Sequence, residues 1–175
     1  MGFDRGDPQA PLEVVEFGDH GCSACAQFAV ETLPTIEAEF IQTGRVRWKF
    51  VPFVLGAFRN SKQATAAAVC AAEQDAFWPM HDRLYQRQKH WSDAGDPYPI
   101  FRELMPGMGL DAARFERCYR DRGTARQVTE LTRLAKRFAV NATPTFFVGE
   151  RRIRGALPTP LFREVLLEAE RSTRP

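Results

Sequence analysis

A chain of 175 residues with 44% hydrophobic and 26% charged residues suits one globular domain, or one domain carrying an insertion, with a sizeable core. A formal net charge of +2 makes no electrostatic case for nucleic acid or a membrane surface as partner. No apolar run approaches the length of a membrane span.

Residues Met1 to Pro11 are polar, with Gly2, Gly6, Pro8 and Pro11, and show no signal-peptide core. The expectation is either a cytosolic protein or one whose leader is cut away. Leu12 to Phe17 reads as a buried strand of a sheet with helices on both faces. Glu16 interrupts that run. It is either a strand-end carboxylate facing water or a buried acid whose pKa desolvation raises, able to take the proton of Cys25.

Phe17-Gly18-Asp19-His20-Gly21-Cys22-Ser23-Ala24-Cys25 joins this strand to a helical pattern through a C-x-x-C pair. The spacing places both sulfurs on one face of the first helical turn, where they can close a small ring with little backbone movement. At a helix N-terminus, unpaired N–H groups and the helix dipole favour the Cys22 thiolate, the nucleophile of disulfide exchange. A protonated His20 two residues earlier would add to that effect, so Cys22 is expected to ionise well below the ordinary ~8.5. The competing assignment, half of a zinc site, lacks a second short-spaced pair: Cys70 and Cys118 stand alone, and His20 would supply only a third ligand. No metal is expected.

Ser23 to Thr43 follows as a helix, with Phe28, Leu33, Ile36, Phe40 and Ile41 at helical spacing, a kink near Leu33 caused by Pro34, and a stop at Gly44. Val46 to Phe53 is a second strand, completing a βαβ unit with a parallel pair. From Ser61, a plausible N-cap, to Phe138 the pattern is helical throughout: Ala64–Ala72, Phe77–Gln88, Pro99–Met105, Asp111–Asp121 and Thr124–Phe138, with a polar loop over 89–98. His81 falls between apolar positions and reads as a packed core residue. Thr145–Val148 and Arg151–Arg154 form a hairpin around Gly149-Glu150, and a helix capped by Thr159 closes the chain. The expected fold is α/β: a thioredoxin-like βαβ…ββα fold in two parts, 1–60 and 139–175, interrupted by an all-helical insertion over 61–138.

The chain resembles the DsbA-like thiol–disulfide oxidoreductases over nearly its whole length. The matching stretches are Glu16-Phe17-Gly18-Asp19, Cys22 and Cys25, Phe28, Phe77-Trp78-Pro79-Met80-His81-Asp82, and Val140 to Val148 with Thr143-Pro144. The resemblance implies an exposed nucleophile at Cys22, a shielded resolving thiol at Cys25 and a buried acid at Glu16. It also implies a cis-proline at Pro144, whose turn lets the Thr143 backbone pair with a bound peptide. The dipeptide between the cysteines, Ser23-Ala24, departs from the Pro, His or aromatic residues often seen there, and so bears on oxidant strength. The absence of a dimerisation segment before the first strand implies a monomer rather than a dimeric isomerase.

The function expected is donation of the Cys22–Cys25 disulfide, the redox group in place of any cofactor, to reduced substrate proteins or peptides. The route is a mixed disulfide on Cys22, with a partner reoxidising the pair. A reductase or isomerase using the same sulfurs, a thiol-based metal chaperone and a peptide-binding module are the competing functions. By resemblance the location is periplasmic or otherwise extracytoplasmic, with the cytoplasm still open. Cys70 and Cys118 are either two buried free thiols or a structural disulfide closing a 48-residue loop.

Overall fold

The structure is a computed structural model that describes residues 2–173. Among these residues five strands form one sheet in the order β1-β3-β2-β4-β5, where β1 is Phe3–Arg5, β2 Leu12–Gly18, β3 Val46–Pro52, β4 Thr145–Val148 and β5 Arg151–Arg154. β2 and β3 run parallel with Val14 opposite Trp48 and Glu16 opposite Phe50, while β1, β4 and β5 pair antiparallel with their neighbours. Side chains alternate across a strand, so Leu12, Val14 and Glu16 share a face with Val46, Trp48 and Phe50. One half of that face packs against Phe28, Ile36 and Phe40 and against Phe162 and Leu166 of the C-terminal helix. Phe28, Phe146 and Phe162 meet within it in tilted and edge-to-face contacts at centroid distances of 4.6, 4.9 and 5.0 Å. Phe50 instead joins the core of the helical insert.

The helical run after Cys22 is not a kinked α-helix. It alternates α1 (Ser23–Gln27), a π-turn (Phe28–Thr32), α2 (Leu33–Ile36) and a second π-turn (Glu37–Ile41). Pro34 lacks an N–H and cannot close the normal i→i−4 bond. The wider turn just before it absorbs the defect, with Pro34 in the first turn of α2.

Among the described residues no strand lies between β3 and β4. That span holds α3 (Ser61–Ala72), α4 (Phe77–Gln86), α5 (Gln88–Trp91), α6 (Tyr98–Glu103), α7 (Ala112–Arg120) and α8 (Arg122–Arg137), and α9 (Thr159–Thr173) follows β5. Three local expectations are corrected. Ser61 is not the N-cap of α3: Asn60 is, in the left-handed region at φ 57° with no side-chain cap bond. The stretch 89–98 is not simply a polar loop. It begins within α5, whose Trp91 is fully buried and donates from Nε1 to the Leu84 carbonyl at 2.8 Å. The N-terminal segment, read as polar lead-in, contributes edge strand β1. Phe3 stacks on Phe77 at 3.6 Å, and Arg5 reaches Glu37 at 2.6 Å and Asp82 at 2.8 Å, so the strand is fixed by α4 and the second π-turn as much as by β3.

Candidate active site

β2 ends at Gly18, and the chain turns sharply over Asp19–Cys22, closed by the Cys22 N–H donating to the Asp19 carbonyl at 2.9 Å. Gly21 is required inside that turn. A Cβ there would lie 2.6 Å from the Phe58 Cβ and 2.9 Å from the Ser61 Cβ. Cys22 is the N-cap of α1, and its sulfur accepts the Cys25 N–H at 3.4 Å. Both cysteines are free thiols. Cys22 is only 4% exposed and Cys25 fully buried, so the expected contrast between an exposed and a shielded cysteine is a small one. Tyr85 of α4 and Ala26 pack against both.

The two thiols are driven apart electrostatically. Cys22 is lowered to about 6, chiefly by the hydrogen bond from the Cys25 thiol, with Thr143 and the N–H groups of Cys25 and Ala24 adding and burial opposing. Cys25 is pushed well up, first by burial, then by its bond to Cys22 and the charges of Cys22 and Glu16. A hydrogen bond to the charged form favours it, whereas burial disfavours it. Glu16 is 1% exposed; its Oε2 accepts from Trp48 Nε1 at 3.1 Å and its Oε1 has no hydrogen-bond partner among the described residues. Burial lifts its pKa to about 8 against the Trp48 bond and the Arg5 charge. It is therefore a buried acid carrying a proton at neutral pH, rather than a carboxylate facing water.

The expected imidazolium at position 20 is corrected. His20 is fully buried and burial alone lowers it to about 3, so the ring is neutral. Its Nδ1 meets the Thr65 hydroxyl at 3.2 Å, and its ring stacks on Tyr85 at 5.2 Å. The ring packs behind the turn, and the thiolate owes its stability to the Cys25 thiol, the Thr143 side chain and backbone donors instead. His81 is likewise buried in the core, its ring 4.4 Å from Phe50 and 4.8 Å from Tyr85.

Three buried polar groups that sequence reasoning left unassigned hold the turn. The Asp19 carboxylate accepts from Gly21 N at 2.8 Å, from Leu55 N at 2.8 Å and from the Ser61 hydroxyl. Gln88 Nε2 donates to the carbonyls of His20 at 2.7 Å and Cys22 at 3.0 Å. Asn60 Nδ2 reaches the carbonyls of Trp91, Ser92 and Ala94, which anchors α5 beside the turn. Only Asp19, next to the C-x-x-C in sequence, carried any signal for this role.

The Thr143–Pro144 peptide bond is cis. The Cys22 thiol donates to the Thr143 carbonyl at 3.4 Å, so residues 121 positions apart meet at this sulfur. Pro144 is buried and Thr143 half-buried. Cys70 of α3 and Cys118 of α7 are bonded to each other, away from the dithiol, at an S–S distance of 1.98 Å. Among the described residues no group of three or more His, Cys, Asp or Glu is arranged to hold a metal ion.

The family model described as Thioredoxin matches residues 2–166. A relative from Bacillus anthracis, named probable disulfide bond formation protein D, is 30% identical over 148 residues, covering 82% of this chain and 67% of that one. Among solved structures, oxidised BdbD from Bacillus subtilis superposes with a TM-score of 0.84 at 25% identity, covering 97% of this chain and 93% of its own. α-DsbA1 from Wolbachia pipientis superposes with a TM-score of 0.85 over 97% and 91% of the two chains; at 19% identity this likeness bears on the fold.

Proposed function

The chain belongs to the thioredoxin family and is a thiol–disulfide oxidoreductase, and we propose that it works as a donor of the Cys22–Cys25 disulfide. The observation that carries this is the opposed ionisation of two thiols one helical turn apart, with Cys22 lowered to about 6 and Cys25 raised. A substrate thiolate attacks the Cys22 sulfur, the S–S bond breaks toward Cys25, and a mixed disulfide forms on Cys22. Cys25 is the poorer thiolate, so it needs a proton as it leaves; Glu16, protonated at neutral pH and close enough for its charge to act on Cys25, supplies it. A second substrate thiolate then attacks the substrate sulfur of the mixed disulfide and releases Cys22 as a stable thiolate. The substrate loses two electrons, the enzyme gains them, and an external redox partner restores the disulfide.

The Thr143-Pro144 segment, against Cys22, is the place where a substrate backbone would lie, pairing strand to strand beside the sulfur. We place the protein in an extracytoplasmic compartment, acting as a monomer on reduced proteins or peptides. The Cys70–Cys118 bond in the insert supports that compartment, since structural disulfides persist in oxidising surroundings. One observation favours a second direction, net reduction or isomerisation. Cys22 at about 6 sits nearer the ~7 of a reducing dithiol than the ~3.5 of a strong oxidant. Trapping tests the roles of the sulfurs: Cys25→Ser should accumulate mixed disulfides with a reduced substrate protein and Cys22→Ser should not. Equal trapping by both variants would overturn the assignment.

A further inference from the structure

The helical insert holds the catalytic turn through the Ser61 hydroxyl on Asp19, the Thr65 hydroxyl on His20 and, at the backbone on either side of Gly21, one side-chain amide. Gln88 begins α5 in the helical insert and is 9% exposed; it spends both N–H groups of its Nε2 on the carbonyls of His20 and Cys22, at 2.7 and 3.0 Å. These carbonyls flank Gly21, the one residue that fits the turn. The Cys22 carbonyl also accepts the Ala26 N–H at 3.1 Å, the first bond of the helix that Cys22 caps. α5 is in turn fixed by Asn60, whose amide grips the carbonyls of residues 91, 92 and 94.

We propose that Gln88 is a positioning residue for the redox centre: its amide clasps the His20 and Cys22 carbonyls, keeps Cys22 in N-cap geometry, and so couples the helical insert to the reactivity of the nucleophilic sulfur. Two effects run in the same direction. The clasp turns the positive end of an amide dipole toward the turn that carries the thiolate, and it neutralises two carbonyl oxygens whose negative ends would otherwise face the same region. It also fixes the backbone torsions on either side of Cys22, on which the Cys25 N–H bond to the sulfur depends. A buried carbonyl that loses its donor is costly; the Cys22 carbonyl keeps the Ala26 N–H, so without Gln88 it is at the His20 carbonyl that the turn would shift to find another partner.

The inference rests on Cys22 being the nucleophile, and its test separates the two claims. Thiolate absorbance and the iodoacetamide rate of the reduced full chain are followed against pH in wild type, Gln88→Leu and Gln88→Met. Val128→Ala, in a buried cluster with Val69 and Leu131, controls for lost stability. The ionisable groups around Cys22, namely Cys25, Glu16, Asp19, His20 and Tyr85, are the same in all four proteins. Removing the clasp is expected to raise the Cys22 midpoint by about one unit, which cuts alkylation at pH 5 about tenfold and leaves the rate at pH 9 within about twofold of wild type. Val128→Ala is expected to keep the wild-type midpoint. A shift under about half a unit in both Gln88 variants, an equal shift in Val128→Ala, or failure of both Gln88 variants to fold would overturn the proposal, the last because the clasp would then serve the fold as a whole. A wild-type midpoint near the ordinary thiol value would instead refute the reading of Cys22, whatever Gln88 does.

Discussion

Replacing Glu16 by glutamine should make the protein more stable, and increasingly so as pH rises. The side chain is buried at 1% exposure beside Trp48 and Phe50, and its pKa is raised from 4.5 to about 8. A group whose folded pKa lies above its unfolded value supports the fold fully below the unfolded pKa and loses that support as pH rises through the folded one. Between pH 4.5 and 8 the wild type therefore forfeits about 1.36 kcal/mol per pH unit, or about 3 kcal/mol at pH 7 and about 5 kcal/mol above pH 8. Glutamine keeps an oxygen for the Trp48 N–H, bonded at 3.1 Å in the wild type, and does not titrate. Urea unfolding of the oxidised proteins at pH 5, 7 and 8.5 checks this, with oxidation removing the thiols from the comparison. The gap in unfolding free energy should be near zero at pH 5 and grow to several kcal/mol at pH 8.5. A gap that stays constant with pH would refute the claim that Glu16 is a protonated buried acid.

The same variant should turn over a dithiol substrate more slowly, since Cys25 then leaves without its proton donor; stopped-flow decay of the mixed disulfide reads this. Acid should destabilise the wild type between pH 6.5 and 3, because His20, lowered to about 3, stays neutral while the unfolded chain takes up its proton, and His81, lowered well below the ordinary value by burial, acts in the same direction. His20 alone accounts for about 3 kcal/mol at pH 4.5, so His20→Phe should flatten the acid limb of stability measured by denaturant titration. Replacing Cys70 and Cys118 by alanine opens a loop of 48 residues and should cost about 2–4 kcal/mol in thermal or urea unfolding without moving the Cys22 midpoint. Thiol counting on the denatured, unreduced wild type should find no alkylatable cysteine at 70 or 118. Phe28→Ala should cost about 3–5 kcal/mol, since Phe28 is 1% exposed in the central aromatic cluster.

What could be read from sequence was whatever local chemistry dictates. The C-x-x-C after an apolar strand, the parallel pair of strands and the terminal hairpin follow from periodicity and turn residues, and they lead to the fold that the structure adopts. Strand β1 escaped because Phe3-Asp4-Arg5 is too short and mixed to show a period; its place comes from Phe77, Trp78, Glu37 and Asp82, far along the chain. The π-turns escaped because a proline announces a defect in a helix but not how neighbouring turns absorb it. At the site, Glu16 and His20 illustrate one limit from two sides. Both are ionisable residues beside a C-x-x-C, and burial, the largest cause at each, decides that one keeps its proton and the other cannot hold one. Gln88 left no trace at all, since a glutamine in a polar stretch looks solvated until the fold brings it 2.7 Å from a carbonyl 68 residues away.

The reduction potential of the Cys22–Cys25 pair as a function of pH, measured by equilibration with glutathione buffers, tests the central claim most directly. Each proton taken up with the two electrons contributes about 30 mV per pH unit. With Cys22 ionising at about 6 and Cys25 raised well above the ordinary range, the potential should fall by about 59 mV per unit below pH 6 and by about 30 mV per unit from pH 6 to 8. A single slope of about 59 mV per unit up to pH 8 would mean that both thiols hold their protons, and would contradict the assignment of Cys22 as a stabilised thiolate.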